Sequence, residues 1–167
     1  MIEIARASTA DDFARFRGLL DEMAIWDANE TRALGYDADE LLRICYSDSA
    51  EDLQAQFSKP GAMMYLARQG EVVAGCAGFS GMEPGAAEVE KVFLRSGFRG
   101  LGVGAALVAR VMTEMRQSGY RLARIETAQF MTSAIAIYTQ VGFQPCRPFR
   151  PPMGDLGPMT VFLECTL

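Results

Sequence analysis

The residue types best suited to chemistry gather between positions 86 and 105, in AAEVEKVFLRSGFRGLGVGA. Strict alternation there predicts a strand with Glu88, Glu90, Val92 and Leu94 on one side and Val89, Lys91, Phe93 and Arg95 on the other. After a turn at Ser96 and Gly97 comes Arg99-Gly100-Leu101-Gly102-Val103-Gly104. Glycine at every second position lets backbone N–H groups approach a ligand with no Cβ in the way. Those amides open a helix, whose unpaired donors and roughly half a positive charge suit a diphosphate. Arg99 adds a fixed cation. Histidine is absent from the chain, which excludes Ser-His-Asp and Cys-His catalysis within it. Proton transfer near neutral pH must then use a carboxylate, a tyrosine, a terminal amine, a perturbed Lys or Cys, or water.

Arg99-x-x-Gly102-x-Gly104 after a strand ending Val92-Phe93-Leu94 resembles the coenzyme A signature of the GNAT acyltransferase superfamily. Downstream, Ile125-Glu126-Thr127 ends a strand, and Ala134-x-x-x-Tyr138-x-x-x-Gly142-Phe143 resembles the family's second conserved helix with its tyrosine. The resemblance covers residues 86 to 143 and departs at Met131, where many members carry Asn.

This resemblance implies an α/β (α+β) fold: a mixed, mostly antiparallel twisted sheet of about six or seven strands flanked by about four helices, splayed at the coenzyme A site. It implies acetyl-CoA as co-substrate, its arm along Val92, Phe93 and Leu94, its diphosphate on Arg99, Gly100, Leu101, Gly102, Val103 and Gly104, with Met131, Ala134 and Tyr138 beside it. Tyr138 would place its hydroxyl next to the departing sulfur. The acceptor would be a primary amine of a small molecule or peptide, attacking directly in a ternary complex. Such an amine arrives as an ammonium with pKa about 10 and needs a base. Glu88 aligns with the strand glutamate that serves in some members, and Glu90 lies two residues on; the base stays open between Glu88, Glu90 and a water relay. Members are often homodimers.

The elements that must position these groups are legible in outline. Ile2 to Arg6 reads as a strand, Thr9-Ala10-Asp11-Asp12 as a helix-opening capping box, and Phe13, Phe16, Leu20, Met23 and Trp26 as its core stripe. Asp27 to Pro60 is the most acidic region and predicts short helices within 34–46 and 50–57. Ala62 to Arg68 and Glu71 to Ser80 form a predicted hairpin about Gly70. The helix after the glycines shows an apolar face of Leu107, Val108, Val111, Met112 and Met115, closed by Gly119. A strand at Arg121–Thr127, a helix at Ser133–Gln140 capped by Thr132 or Ser133, a proline-rich connection and a strand at Met159–Leu167 complete the chain.

With 167 residues, 50% of them hydrophobic, the sequence predicts one domain over 1–167. No leader-like start or membrane-length apolar run is evident, so a cytoplasmic protein is expected. Cys45, Cys76, Cys146 and Cys165 lack metal or disulfide spacing and read as buried thiols, with no metal expected. A net charge of −5 argues against nucleic-acid partners.

Two other readings compete with acyl transfer. A dinucleotide-binding unit could use Glu126 for a ribose, but G-x-G-x-G is not its G-x-G-x-x-G spacing. A coenzyme A-binding regulatory module without catalysis is the other, kept open by Met131. Acceptor choice is assigned chiefly to 26–57 and 145–158, with Trp26 and, outside them, Glu90 as candidate substrate-binding residues. There the acidic segment would attract a cationic amine, whereas Arg147 and Arg150 would grip a carboxylate.

Overall fold

Capping signals start the helices of the N-terminal half. Thr9 accepts from the Asp12 N–H at 3.1 Å, the Asp12 carboxylate accepts from the Thr9 N–H at 3.0 Å, and this reciprocal box opens α1 (Ala10–Ala33). Asp37 caps α2 (Ala38–Cys45), and a second box, Ser49 with Asp52, opens α3 (Ala50–Phe57). The buried line of α1 runs Phe13, Phe16, Leu20, Ala24, Asp27 and Thr31. Steps of three predict Trp26 on that line. At 3.6 residues per turn, however, Trp26 lies about 120° round from Leu20 and Asp27 only about 20°. Trp26 is accordingly 36% exposed, and a carboxylate takes the inward position.

The protein is described here by a computed structural model over residues 1–151 and 153–167. Strands β1 (Glu3–Arg6), β2 (Ala62–Gln69), β3 (Val72–Gly81), β4 (Ala86–Leu94), β5 (Leu122–Ala128), β6 (Gln144–Pro145) and β7 (Thr160–Thr166) form one sheet in the order β1-β2-β3-β4-β5-β7-β6. Among the described residues only the β4–β5 pair is parallel. Helices α4 (Val103–Gln117) and α5 (Thr132–Gln140) cover one face, and α1 to α3 the other. Strand β2 shows how one sequence serves both layers: Tyr65 and Ala67 join the α4 core, while Met64 and Leu66 join the α1–α3 core. Pro145 lies in the edge strand β6, where its missing N–H breaks no central ladder.

Two local expectations fail. Of the cysteines only Cys76 is buried, the other three being partly exposed. Neither Thr132 nor Ser133 caps α5: its N-cap is Met131, and no side chain bonds back to its first turn. Among the described residues no helix is long and apolar enough to cross a membrane.

Candidate active site

Strands β4 and β5 start together and then part. Their parallel pairing spans only Ala86–Leu122, Ala87–Ala123 and Glu88–Arg124, although β4 continues to Leu94 and β5 to Ala128. Beyond Glu88, β4 therefore has an edge with no strand on its β5 side, and backbone groups there need a partner. A bulge deepens the break. Glu90 pairs with Gly78 and Phe93 with Cys76, so Lys91 and Val92 together oppose Ala77, and Lys91 takes φ 55°. The extra residue resets the alternation. Val92 and Leu94 pack with Val89 on the α4 side, while Phe93 and Lys91 turn to the α1–α2 side with Glu88 and Glu90. The strict alternation predicted for this strand is thus wrong after Glu90.

On the α4–α5 side the gap opens into a cavity of about 550 Å³. Val92, Phe93 and Leu94 form one wall, Arg99, Gly100, Gly102 and Gly104 the floor, and Met131, Ala134 and Tyr138 the opposite wall. Gly100 and Gly102 have φ 76° and 77°, and Gly102 is the N-cap of α4 without a side-chain cap. Left-handed φ at both positions is what glycine supplies. Gly104 differs: it lies inside the helix, where an added Cβ would stand 3.0 Å from Ile137 Cδ1, so its bareness lets α4 approach α5. Val103 packs in the core and the Leu101 side chain is 69% exposed, so neither side chain faces the cavity; their backbone N–H groups are what they offer. Arg99 donates through Nε to Leu94 O at 3.1 Å and pairs with no carboxylate among the described residues. Two uncapped helix starts and an arginine suit an anion.

A second cavity, about 330 Å³, lies on the α1–α2 side of the gap. Its walls carry Asp27, Glu88, Glu90 and Glu126 against Lys91 and Arg150. Arg150 bonds Glu88 and reaches Glu126 with Nε at 3.1 Å. Glu90 is held more loosely, with Gln56 Nε2 at 3.4 Å from each oxygen. Burial pushes the Glu90 carboxyl above the usual range, Ser80 pulling it back and the charge of Glu88 adding to the rise. Burial likewise raises Glu126 against the pull of Arg150. It lifts Asp27 to about 6, the Tyr46 hydroxyl that donates to it notwithstanding. The Lys91 ammonium donates to Cys45 O at 2.8 Å and lies over the Tyr46 ring. Cys45 faces this cavity, but burial pushes its thiol up to about 11, so it holds its proton and is a poor nucleophile near neutral pH.

Tyr138 and Val92 line both cavities, together with Met23, Phe130 and Met131. The phenol of Tyr138 is 4% exposed and raised by burial alone, which keeps it protonated. Met131 offers sulfur in place of an amide, and the Thr127 hydroxyl lies 3.2 Å from it.

The family model of the acetyltransferase (GNAT) family matches residues 22–143. The chain belongs to the GNAT acetyltransferase family. It is 32% identical over 114 residues to the IAA acetyltransferase of Azospirillum brasilense, an alignment spanning 68% of this chain and 72% of that one. It is 31% identical over 97 residues to the uncharacterized N-acetyltransferase YjgM of Escherichia coli, spanning 56% and 58%. Among solved structures, the PaiA N-acetyltransferase of Thermoplasma acidophilum, in complex with coenzyme A, superposes with TM-score 0.76 at 17% identity, covering 100% of this chain and 99% of that one. A GNAT-family acetyltransferase of Staphylococcus aureus gives 0.75 at 16%, covering 100% and 99%. Membership supports acyl-CoA-dependent N-acetyltransferase activity, and neither the dinucleotide-binding nor the regulatory reading gains support.

Within this GNAT fold, most residues singled out in the sequence meet at the gap. Glu88, Glu90 and Arg150 share the smaller cavity, and Trp26 stands at the larger one with its ring 5.5 Å from Phe130. Arg147 is exposed and lines neither. Sequence reasoning missed Asp27, Tyr46, Lys91 and Phe130 at the smaller cavity. Asp27 had one usable signal, a carboxylate on the 3.6-period continuation of the Phe13–Leu20 stripe.

Proposed function

We propose that this protein transfers an acetyl group from acetyl-CoA to a primary amine by direct attack. The observation that carries it is the junction where β4 and β5 part: Val92 and Tyr138 line both cavities there, so a bound thioester on one side and an amine on the other would meet. Acetyl-CoA supplies an acetyl group already activated as a thioester. The first turns of α4 and α5 and Arg99 hold its diphosphate, and the free edge of β4 at Val92–Leu94 bonds its arm. An N–H on that edge would stabilise charge developing on the thioester oxygen.

Tyr138 remains a phenol at working pH and donates a hydrogen bond to the departing thiolate. The thiolate, with a conjugate-acid pKa of about 8.5, needs little more than that donor to leave. On the amine side, Glu90 takes the proton, directly or through a water. Its raised basicity and loose partners suit it better than Glu88, whose charge is spent on Arg150, so Glu88 positions Arg150 instead. The protonated Cys45 thiol supports direct attack over an acyl-cysteine route.

Isothermal titration with acetyl-CoA, beside a parallel titration with NAD, tests the cofactor assignment, and thiol release with a panel of amines tests the reaction. Micromolar binding of acetyl-CoA alone with amine-dependent thiol release is the expected result. Binding of NAD, or of neither, would overturn the reading.

A further inference from the structure

The smaller cavity holds more negative charge than its cations neutralise. Asp27, Glu88, Glu90 and Glu126 stand against Lys91 and Arg150, and both cations are already committed: Arg150 to Glu88 and Glu126, Lys91 to Cys45 O and the Tyr46 face. Two carboxylate oxygens on different walls have no partner among the described residues and are shut from bulk solvent, Asp27 Oδ1 on α1 and Glu126 Oε1 on β5. Asp27 is only 4% exposed yet lines the cavity; its other oxygen is fixed by the Tyr46 hydroxyl, and Oδ1, closed to water in the empty protein, has no donor among the described residues. Leaving a buried carboxylate oxygen unpaired is costly unless a donor arrives with the ligand. Asp27 also lies one turn of α1, about 6 Å, beyond Met23 at the junction of the cavities. A donor seated on Asp27 would therefore belong to the far end of an acceptor whose near end meets Val92 and Tyr138.

We propose that the acceptor is a small aliphatic amine carrying a second ammonium and no carboxylate, with the distal ammonium seated on the acidic wall that Asp27 and Glu126 contribute. This deepens the acetyl-transfer reading and rests on it. Carboxylate-bearing amines are disfavoured because the Arg150 charge is already set against Glu88 and Glu126 and the remaining field repels them. The same field draws a dication in.

Three acceptors of matched length separate the possibilities: 1,4-diaminobutane, butylamine and 4-aminobutyrate, each assayed by thiol release at saturating acetyl-CoA. One charge-assisted pair desolvated in a cavity is expected to raise kcat/KM for the diamine about thirty-fold over butylamine, and 4-aminobutyrate should be poorest. Asp27→Asn should raise the KM for the diamine by about the same factor while its acetyl-CoA affinity, measured by titration, stays at the wild-type value and reports a folded protein. Glu126→Gln should raise that KM to a smaller extent, since its other oxygen keeps Arg150. Equal kcat/KM for diamine and butylamine, a preference for 4-aminobutyrate, or no turnover of any of the three by a protein that binds acetyl-CoA would each overturn the proposal. Failure to bind acetyl-CoA would overturn the underlying acyl-transfer reading instead.

Discussion

The two cavities that meet between β4 and β5 are made of different material. The larger is lined by backbone, glycines and small or apolar side chains, with one arginine, whereas the smaller is lined by four carboxylates and two cations. Backbone donors are fixed by helix and strand geometry, so one such site serves the same ligand in many relatives. Charged side chains can be exchanged without disturbing the fold. On the proposed reading, the larger cavity carries the acetyl-CoA site and the smaller the choice of acceptor. If that division is right, damage to the first should abolish reaction with every acceptor, and damage to the second should reorder acceptors.

The largest effect is expected at the cradle. Gly102→Asp adds a carboxylate and a Cβ at φ 77°, beside the site assigned to the diphosphate, and should weaken acetyl-CoA binding at least about 100-fold in a titration. Unchanged affinity would remove the diphosphate from α4. Next comes the residue shared by both cavities. Tyr138→Phe keeps the packing against Phe143 and deletes only the donor, so kcat should fall about thirty-fold with acetyl-CoA affinity within about two-fold. Equal loss for every acceptor would match a role at the sulfur; loss that varies with acceptor would move Tyr138 to the acceptor side.

The same division explains what the sequence discloses. Apart from Met23 and Trp26 of α1, the larger cavity is built by one continuous stretch, β4 through α5, so its glycines, strand and tyrosine sit at spacings that can be read off the chain. The smaller draws on α1, α2, β4, β5, α5, β7 and the segment around Arg150, residues as far apart as 23 and 160, and no local spacing links them. Two local errors hid it further. Stepping by three along α1 drifts off the buried line and picks Trp26 over Asp27. Strict alternation in β4 ignores the bulge at Lys91, a non-glycine residue at positive φ that no propensity flags. The Thr9–Asp12 capping box and the hairpin came through because their signals lie within a few residues.

A smaller effect distinguishes the strand carboxylates. Glu90→Gln should lower kcat/KM about ten-fold and remove the acid limb of its pH profile, a limb lying above the ordinary carboxylate range because burial raises Glu90. Glu88→Gln should leave that limb in place and change kcat/KM less, since Glu88 is tied to Arg150. If Glu88→Gln erases the limb and Glu90→Gln does not, the two exchange roles.

The smallest effect is on stability, and it asks whether Asp27 belongs to the ligand or to the fold. Asp12, on the same helix, is also inward and also ionisable; burial raises it, but the N–H groups of Ser8 and Thr9, the Thr9 hydroxyl and Arg68 outweigh burial and hold it at about 2. Its stabilisation is present above pH 3.8 and lost as pH falls through about 2. Asp27 runs the other way. Raised from 3.8 to about 6, its contribution is full below pH 3.8 and lost as pH rises through about 6. Asp27→Asn removes that titration while its amide oxygen still accepts from Tyr46. The melting temperature of the variant relative to wild type should therefore climb by several degrees between pH 4 and pH 7 and then level off, for a difference on the order of 1–3 kcal/mol. Asp12→Asn should instead lower the melting temperature throughout that range. A group that costs stability in the empty protein, and whose removal costs acceptor discrimination, is held for its ligand. An Asp27→Asn variant that melts lower at every pH would make Asp27 a structural carboxylate like Asp12, and the contrast between the two cavities would then lose its sharpest residue.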